Sequence, residues 1–243
     1  MILHVVERAL GASNVSRAIV ATDDERILSC VQDAGREAVM TSKLHRSGSD
    51  RLAEVAATLD EADVIVNVQG DEPLISPETI ERAVDELLNA DEAQIVTTCE
   101  ALTAEDVLSA DVVKVVMDAG GRALYFSRSP IPYPRDAVKK HGSLEKALRH
   151  DATLLATFRK HTGLYVYRRG FLLEYSAWPQ SELERTESLE QLRALERGAI
   201  IKVVEASAPS IGVDTAEDLE RVRAILEVSS PKSQDPSQSG LQT

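Results

Sequence analysis

The stretch VIVNVQGDEPLISPETI, residues 64–80, joins a strand pattern to a helix pattern through an acidic turn. All but one of its first five residues are β-branched, which is typical of a buried strand. Ser76 and Pro77 are typical of a helix N-cap and of the first helical position. Asp71 and Glu72 belong neither to the strand pattern nor to the helix cap. Two carboxylates at the carboxyl end of a strand therefore require another explanation.

Around this stretch, strand and helix patterns alternate over the first hundred residues. Such alternation is typical of parallel βαβ units, whose functional sites lie beyond the carboxyl ends of the strands. The predicted strands are 18–22, 37–41, 64–69 and 94–102, and the predicted helices are 1–13, 23–35, 50–59 and 77–89. The turn that holds Asp71 therefore lies where such a sheet places its site.

After residue 102 the alternation gives way to another pattern. A Gly-Gly turn between two strand patterns predicts a β-hairpin. The predicted elements are a hairpin at 112–128, strands at 162–169 and 200–206, a helix at 184–198, and a turn and helix at 212–226. The polar, Pro/Ser-rich residues 227–243 predict a disordered tail, which leaves one α/β domain over residues 1–226. The pattern predicts no site in residues 141–158.

The composition excludes several classes of protein. A net charge of −13 argues against non-specific nucleic-acid binding, because proteins of that class present a basic surface. No apolar run approaches the ~20 residues that span a bilayer, so we expect no membrane partner. Cys30 and Cys99 are too few for a disulfide framework, and we expect a cytoplasmic protein.

The sequence also lacks the motifs of several common sites. It contains neither the G-x-G-x-x-G fingerprint nor the G-x-x-x-x-G-K-[ST] phosphate loop. A G-x-S-x-G nucleophile elbow and a zinc-finger spacing are absent as well. An anionic ligand would therefore depend on local arginines and lysines or on a metal cation.

Two aspartates lie between a predicted strand and a predicted helix. Asp71 follows the strand at 64–69, and Asp214 lies in the turn before the last helix. An Asp at a helix start is often only a cap, but Thr215 and Asp218 can cap this helix and leave Asp214 available. Two carboxylates from separate strand ends could converge on Mg²⁺, which prefers oxygen ligands and often carries substrate phosphates.

Three residues open the helix predicted at 50–59 or lie in its first turn. Backbone N–H groups beside Ser47 and Gly48 could hold a base or a phosphate, with Arg51 nearby. An ordinary helix cap explains the same residues. Arg128 ends a predicted strand, where its guanidinium could hold a carboxylate.

Two further groups follow from residue spacing. His161 and Tyr165 are four residues apart on a predicted strand, so they are expected on one face. A surface or hydrogen-bonded core position is the simpler interpretation for such a histidine. Glu187, Glu190 and Gln191 are expected on the side of their helix opposite its leucines, where a solvated face is the simpler interpretation.

Taken in order, these segments resemble one family. RSGSDRLAE, VIVNVQGDEPLI, VVKVVMD, ALYFSRSPIP, HTGLYVYRR, SLEQLRALE and GVDTAEDLERVR are similar to segments of the 3-deoxy-manno-octulosonate cytidylyltransferases, or CMP-Kdo synthetases. The sialic acid cytidylyltransferases share only part of this set. The resemblance implies the Rossmann-like, three-layer α/β fold of nucleotide-diphospho-sugar transferases with a mixed sheet. It also implies a homodimer that forms through the segment around 110–175.

The resemblance implies a reaction and a set of roles. CTP and the sugar acid Kdo would give CMP-Kdo and pyrophosphate for lipopolysaccharide synthesis. Asp71 and Asp214 would hold Mg²⁺ as the catalytic residues. The nucleotide would contact Ser47, Gly48 and Arg51, and the sugar acid would contact Gln69, Arg128, His161, Tyr165, Glu190 and Gln191.

The chain departs from the family at its start. A full member begins with a strand and a loop, roughly R-x-x-S-x-R-x-P-x-K-P-L, that binds the CTP phosphates, whereas this chain opens within what resembles the following helix. A start assigned too late or a shortened product would explain the difference. If these residues act alone, we expect a gap in the sheet, poor stability and little nucleotidyl transfer. A non-catalytic sugar-acid-binding homologue and a cytidylyltransferase for another sugar acid are the alternatives.

Overall fold

The structure is a computed structural model that describes residues 1–45, 47–213 and 215–229. The described strands are β1 (Ile19–Thr22), β2 (Glu37–Met40), β3 (Val64–Asn67), β4 (Ile95–Glu100), β5 (Lys114–Met117), β6 (Ala123–Ser127), β7 (Lys160–Arg168) and β8 (Ile201–Glu205). The described helices are α1 (Ile2–Leu10), α2 (Glu25–Asp33), α3 (Gly48–Ala56), α4 (Pro77–Asn89), α5 (Ala104–Leu108), α6 (Arg135–His141), α7 (Leu144–His150), α8 (Arg169–Ser176), α9 (Glu182–Glu187), α10 (Gln191–Glu196) and α11 (Ala216–Ser229), with a 3₁₀ helix at Ala152–Thr157.

The described strands form two sheets. β1 and β2 pair in parallel, with Ile19 opposite Glu37 and Thr22 opposite Met40. The larger sheet has the order β6-β5-β7-β4-β8, and β3 also pairs with β7. Strand β7 is antiparallel to β3, β4 and β5, whereas β4 and β8 are parallel. Within the described residues no strand lies between β1 and β3, and a cavity separates them.

Most predicted elements are confirmed, but the expected run of parallel units is wrong in part. β1 with β2 and β4 with β8 are parallel as predicted. β3 and β4 do not pair with each other, because β7 lies between them and runs in the opposite direction. Alternating patterns predict local elements. They do not predict that a strand from much later in the sequence is inserted between two earlier ones.

The single helix predicted at 184–198 is also wrong. Two shorter helices, α9 and α10, occupy this region, and Ser188 between them has a φ of 54°. Left-handed backbone at a residue other than glycine ends α9 and redirects the chain. The polar residues around this break therefore do not share one helix face.

Two other regions differ from the pattern. Residues 141–158 contain α7 and the 3₁₀ helix. Helix α11 continues to Ser229, so the first residues of the predicted tail are helical, and residues 230–243 lie outside the described residues. Among the described helices, none combines the length and the apolar character needed to cross a bilayer.

Apolar side chains pack on both faces of the larger sheet. On one face, residues of α3, α8 and α10 form a cluster with Ile65, Ile95 and Tyr167. On the other face, residues of α4 form a cluster with Val96 and Val166. Neighbouring residues of β4 and β7 thus point to opposite faces, as the period of two requires, and the result is a layer of helices on each side of the sheet.

A buried ion pair holds α9 against α10. Arg193 is 2% exposed and Glu184 is 3% exposed, and Nε of Arg193 lies 3.2 Å from Oε2 of Glu184. The guanidinium also lies over the ring of Tyr175, 4.4 Å from its centre, and its Nη1 donates to the carbonyl of Trp178 at 2.8 Å. The end of α8, α9 and α10 therefore meet around one buried cation.

Replacing Glu184 with alanine should lower the free energy of unfolding by about 3 kcal/mol, because the Arg193 charge would stay buried without its partner. Urea unfolding followed by the fluorescence of Trp178, the single tryptophan, measures the change. Exposed Glu182 on the same helix provides the matched control, and Glu182→Ala should change the value by less than about 0.5 kcal/mol. Equal effects of the two substitutions would contradict this role of the ion pair.

Candidate active site

The turn after β3 holds Gln69 and Asp71. The N–H of Glu72 donates to the carbonyl of Gln69 at 3.2 Å, which closes the turn. The N–H of Val213 donates to the carbonyl of Asp71 at 2.9 Å, so the chain that leads to position 214 lies directly against this turn. Asp214 itself lies outside the described residues.

The second carboxylate of the turn, Glu72, packs against β7. Burial raises the pKa of Glu72, and the negative charges of Asp71 and Glu100 raise it further. A Cβ at Gly163 of β7 would lie 3.2 Å from Cγ of Gln69 and 3.3 Å from Oε1 of Glu72, so glycine permits this close approach. No signal in the sequence separates Glu72 from Asp71, and Glu72 was assigned no role from it.

The amino end of α3 carries the residues expected at the nucleotide. The hydroxyl oxygen of Ser47 accepts the N–H of Asp50 at 3.2 Å, so the cap interpretation holds for this side chain. Nη2 of Arg51 lies 3.1 Å from Oδ2 of Asp23, and its Nη1 donates to Oγ1 of Thr41. The hydrogen bond from Arg51 lowers the pKa of Asp23.

A cavity of about 520 Å³ connects this helix end to the turn after β3. Gly48 and Arg51 line it from α3, and Gln69 and Gly70 line it from the turn. The cavity continues between β1 and β3. Residues predicted for the nucleotide and for the sugar acid therefore border one space.

Strand β7 places His161 and Tyr165 with their ring centres 5.3 Å apart. Oγ1 of Thr97 donates to the carbonyl of Leu164 at 2.7 Å, so it accepts the Nε2–H of His161 at 2.9 Å. A hydrogen on Nε2 leaves Nδ1 as an acceptor. Burial lowers the pKa of His161 to about 3, so the imidazole is neutral at pH 7.

Arg128 follows β6 and is fixed by Glu187. The N–H of Arg128 donates to Oε2 of Glu187 at 2.9 Å, and the hydroxyl of Ser127 donates to Oε1 at 2.7 Å. Nε of Arg128 donates to the carbonyl of Glu187 at 2.8 Å, and Nη1 donates to that of Ala110 at 3.0 Å. Backbone carbonyls therefore hold the guanidinium at the strand end. The sequence named Glu187 only as part of a polar cluster and gave no sign of this role.

Glu190 and Gln191 lie at the start of α10. Oε2 of Glu190 accepts the hydroxyl of Ser49 at 2.6 Å, and its carbonyl accepts the hydroxyl of Tyr175 at 2.7 Å. Gln191 is 5% exposed, and its Nε2 has no hydrogen-bond partner within the described part of the chain. The interpretation of this region as a solvated helix face is wrong, because the break at Ser188 allows α10 to pack inward.

These contacts join most of the predicted residues into one connected group. Gln69 packs against β7 at Gly163, and the ring of Phe126, two residues before Arg128, lies 4.9 Å from that of His161. Ser49 ties Glu190 to α3. The group carries cations, neutral donors and acceptors together with one turn of carboxylates, which suits an anionic, hydroxyl-rich ligand.

Comparison with known proteins gives one family. The model of the cytidylyltransferase family matches residues 1–205. A 3-deoxy-manno-octulosonate cytidylyltransferase from Trichlorobacter lovleyi is 53% identical over 224 residues, which cover 92% of this chain and 86% of the relative. A protein of the same name from Pelobacter propionicus is 52% identical over 230 residues, covering 93% and 88%.

Solved structures give the same result. A structure of CMP:2-keto-3-deoxy-manno-octonic acid synthetase complexed with CTP is 42% identical, with a TM-score of 0.83 over 94% of this chain and 88% of that one. A 4-diphosphocytidyl-2C-methyl-D-erythritol synthase from Anaerococcus prevotii is 16% identical, with a TM-score of 0.54 over 93% of this chain and 86% of that one. The second similarity concerns the fold alone.

The free energy of unfolding should fall as the pH drops below about 6.5. The unfolded state takes up a proton near the ordinary pKa of 6.5, whereas folded His161 does so only near pH 3. Its contribution to stability is therefore complete above pH 6.5 and is lost progressively as the pH falls toward 3. Urea unfolding at a series of pH values measures this dependence.

His161→Asn should flatten that dependence, because the amide can donate to Thr97 and does not titrate. Replacing the exposed His4 with Asn is the matched control and should keep the wild-type profile. Equal slopes for the wild type and His161→Asn between about pH 4 and pH 7 would contradict the assignment.

Proposed function

The chain belongs to the cytidylyltransferase family, and we infer from this membership that it activates 3-deoxy-manno-octulosonate (Kdo) with CTP. The products are CMP-Kdo, which serves lipopolysaccharide synthesis, and pyrophosphate. The observation that carries the inference is 53% identity over 224 residues to a relative with this name. The 42% identical structure complexed with CTP supports CTP as the donor.

The reaction brings two anions together. The anomeric hydroxyl oxygen of Kdo attacks the α-phosphorus of CTP, the bond from that phosphorus to the bridging oxygen breaks, and pyrophosphate leaves. Both reactants are negative, and the chain itself has a net charge of −13. Local cations and hydrogen-bond donors must neutralise the phosphates and align the reactants, so positioning and electrostatics supply most of the catalysis.

We place the nucleotide at the amino end of α3. Helix N–H groups and Arg51 give this end positive potential. A Cβ at Gly48 would meet no atom within 4 Å, so the backbone there is open to a ligand. Because the hydroxyl oxygen of Ser47 already caps the helix, Ser47 would contact the base through its main chain.

We place the sugar acid between β7, the end of β6 and the start of α10. Arg128 supplies a cation for the Kdo carboxylate. Neutral His161 offers Nδ1 to a sugar hydroxyl, and the unpaired Nε2 of buried Gln191 offers a donor. An unsatisfied buried amide is costly, so a ligand oxygen at this position would be favourable. Gln69, Tyr165 and Glu190 complete the set.

We propose that Asp71 and Asp214 hold Mg²⁺. Carboxylate oxygens from one or two residues, together with substrate phosphates, make the usual site for this ion, so the donor set fits. Within the described residues there is no cluster of three or more His, Cys, Asp or Glu side chains that would form a protein-only cage. The backbone hydrogen bond between Val213 and Asp71 supports the pairing. When bound, the ion would neutralise phosphate charge and lower the pKa of the attacking hydroxyl.

Replacing Asp71 with asparagine should slow pyrophosphate release from CTP and Kdo by about 100-fold or more, because a neutral amide binds the ion more weakly. A coupled assay over a magnesium titration measures the rate. Exposed Asp91 provides the control, and Asp91→Asn should keep the wild-type rate. Wild-type turnover by Asp71→Asn would contradict the metal assignment and leave the proposed activity intact.

The same assay separates the proposed function from its alternatives. A cytidylyltransferase for another sugar acid would release pyrophosphate with a sialic-type or shorter-chain acid and not with Kdo. A non-catalytic homologue would bind Kdo in calorimetry and release no pyrophosphate from CTP.

We also propose a homodimer that forms through the segment around 110–175. β6 lies at one edge of the larger sheet. Leu124 on β6 is 59% exposed, and Tyr133 in the following loop is 61% exposed. Large apolar side chains exposed at and near a sheet edge are typical of an interaction surface.

Replacing Leu124 with glutamate should convert the dimer to a monomer, because the charge would be buried without a partner at the interface. Light scattering after gel filtration measures the molar mass. Leu88 on α4 is 55% exposed and provides the control, so Leu88→Glu should remain dimeric. A monomeric wild-type chain would contradict the proposal.

A further inference from the structure

Lys114, the first residue of β5, carries a buried charge to which the proposed reaction assigns no role. The residue is 0% exposed. Its Nζ donates to the carbonyl of Ser109 at 2.8 Å, to that of Val112 at 2.6 Å, and also to that of Arg128. An ammonium has three hydrogens, so these contacts use all of them. Lys114 therefore has no hydrogen left for a ligand.

The position of this ammonium is costly. Burial lowers the pKa of Lys114 and the charge of Arg128 lowers it further, whereas the charges of Glu187 and Asp106 raise it. An ammonium taken out of water needs hydrogen-bond partners to offset the loss of hydration, and here backbone carbonyls supply them. A buried cation beside a second cation indicates a role beyond the stability of the sheet.

Two of the three carbonyls belong to a segment that also holds Arg128. Residues 109–112 supply four carbonyls, and the two outer ones accept from Lys114. The two inner ones accept Nη1 of Arg128, at 3.0 Å and 3.4 Å. The ammonium therefore fixes both ends of the segment whose middle orients the guanidinium.

The third carbonyl is that of Arg128 itself. While this carbonyl accepts from Lys114, the N–H of Arg128 donates to Oε2 of Glu187 at 2.9 Å and its Nε donates to the carbonyl of Glu187 at 2.8 Å. The main chain on both sides of the Arg128 Cα is thus held in place. Within the described residues, Nη2 of Arg128 makes no hydrogen bond, so its two hydrogens are available to a ligand.

We propose that Lys114 is a positioning residue that holds Arg128 ready for the carboxylate of the sugar acid. The proposal rests on the proposed function, in which Arg128 binds that carboxylate. A guanidinium that is ordered before the ligand arrives loses less conformational freedom on binding. The buried ammonium also adds positive potential beside it, which favours a negative ligand group. Lys114 should therefore affect recognition of the carboxylate and not of the sugar hydroxyls or the nucleotide.

Calorimetry on the full chain tests this selectivity, since it needs no turnover. The ligands are Kdo, CTP and Kdo carboxamide, in which a neutral amide replaces the carboxylate. Lys114→Met removes the charge and keeps most of the length of the side chain. It should weaken binding of Kdo by about tenfold and change binding of the carboxamide and of CTP by less than about twofold. A general loss of structure would instead weaken all three ligands together.

Two further variants separate Lys114 from other lysines and from Arg128. Lys202→Met is the matched control, because Nζ of Lys202 also donates to a backbone carbonyl, that of Gly120 at 2.6 Å, and this variant should bind Kdo like the wild type. Arg128→Met should abolish the preference for Kdo over its carboxamide. Adding Lys114→Met to Arg128→Met should weaken Kdo binding by less than about another twofold, because Lys114 acts through Arg128.

Two measurements keep the test decisive if Lys114→Met does not fold. Lys114→Gln retains two N–H donors and should weaken Kdo binding by about threefold, again without a matching change for the carboxamide. Nitrogen NMR of the wild-type chain needs no variant of Lys114. The Nζ signal of Lys114 should shift when Kdo binds and should stay in place when the carboxamide binds.

Three results would overturn the proposal. The first is equal weakening of Kdo and carboxamide binding by Lys114→Met or Lys114→Gln. The second is a full additional loss when Lys114→Met is combined with Arg128→Met. The third is an Nζ signal that does not respond to Kdo. A wild-type chain that binds neither Kdo nor its carboxamide would contradict the proposed function itself, and the role of Lys114 with it.

Discussion

The candidate site depends on the hydrogen bonds that β7 makes along both of its edges. β7 pairs antiparallel with β3 on one side and with β4 on the other. An irregularity in its pairing with β4, between Thr97 and Thr98, lies next to Gly163, where the backbone approaches Gln69 and Glu72. The same strand directs His161 and Tyr165 toward the ends of β6 and α10. If β7 moved, the carboxylate turn would separate from the residues proposed to bind the sugar acid.

Charge sets the second constraint on this molecule. An acidic chain that binds two anions needs positive side chains held close to the places where those anions bind. Arg51 is held by Asp23 and Thr41, and Arg128 is held by backbone carbonyls, so neither side chain needs to be ordered when a ligand arrives. Preorganisation of this kind reduces the entropy that binding and catalysis would otherwise require. Neutral His161 contributes hydrogen bonding without adding charge.

Local pattern predicted the elements well and their assembly less well. The strand at 64–69 and the helix at 77–89 follow from β-branched runs and from Ser76-Pro77, because these signals act within a few residues. The position of β7 between β3 and β4 could not be predicted, since strand order depends on packing over the whole sheet. The break at Ser188 was missed because leucine spacing continues through it, whereas the contacts that end the helix come from β6.

The same distinction between short-range signals and long-range packing holds for the candidate site. Asp71 and Arg128 were named from their positions at strand ends, His161 from its spacing on a strand, and Gln69 from the resemblance alone; their roles stay predictions. Ser49, Thr97 and Glu187 were not assigned roles, because each acts by fixing a neighbour that is distant in sequence. The resemblance to a family supplied roles that no spacing could provide. Asp214 lies outside the described residues, so its pairing with Asp71 stays a prediction.

The division into two sheets also divides the molecule into unequal cooperative units. β1 and β2 have a small cluster of their own, built from Val6, Val20 and Val31, which is separate from the clusters of the larger sheet. A unit with so little buried apolar surface opens at a lower free energy than the rest of the fold. Opening it would release Asp23 from Arg51 while β7 stays in place. Warming would therefore disrupt the end of the site proposed for the donor before the end proposed for the acceptor, so the two ends would lose their structure at different temperatures.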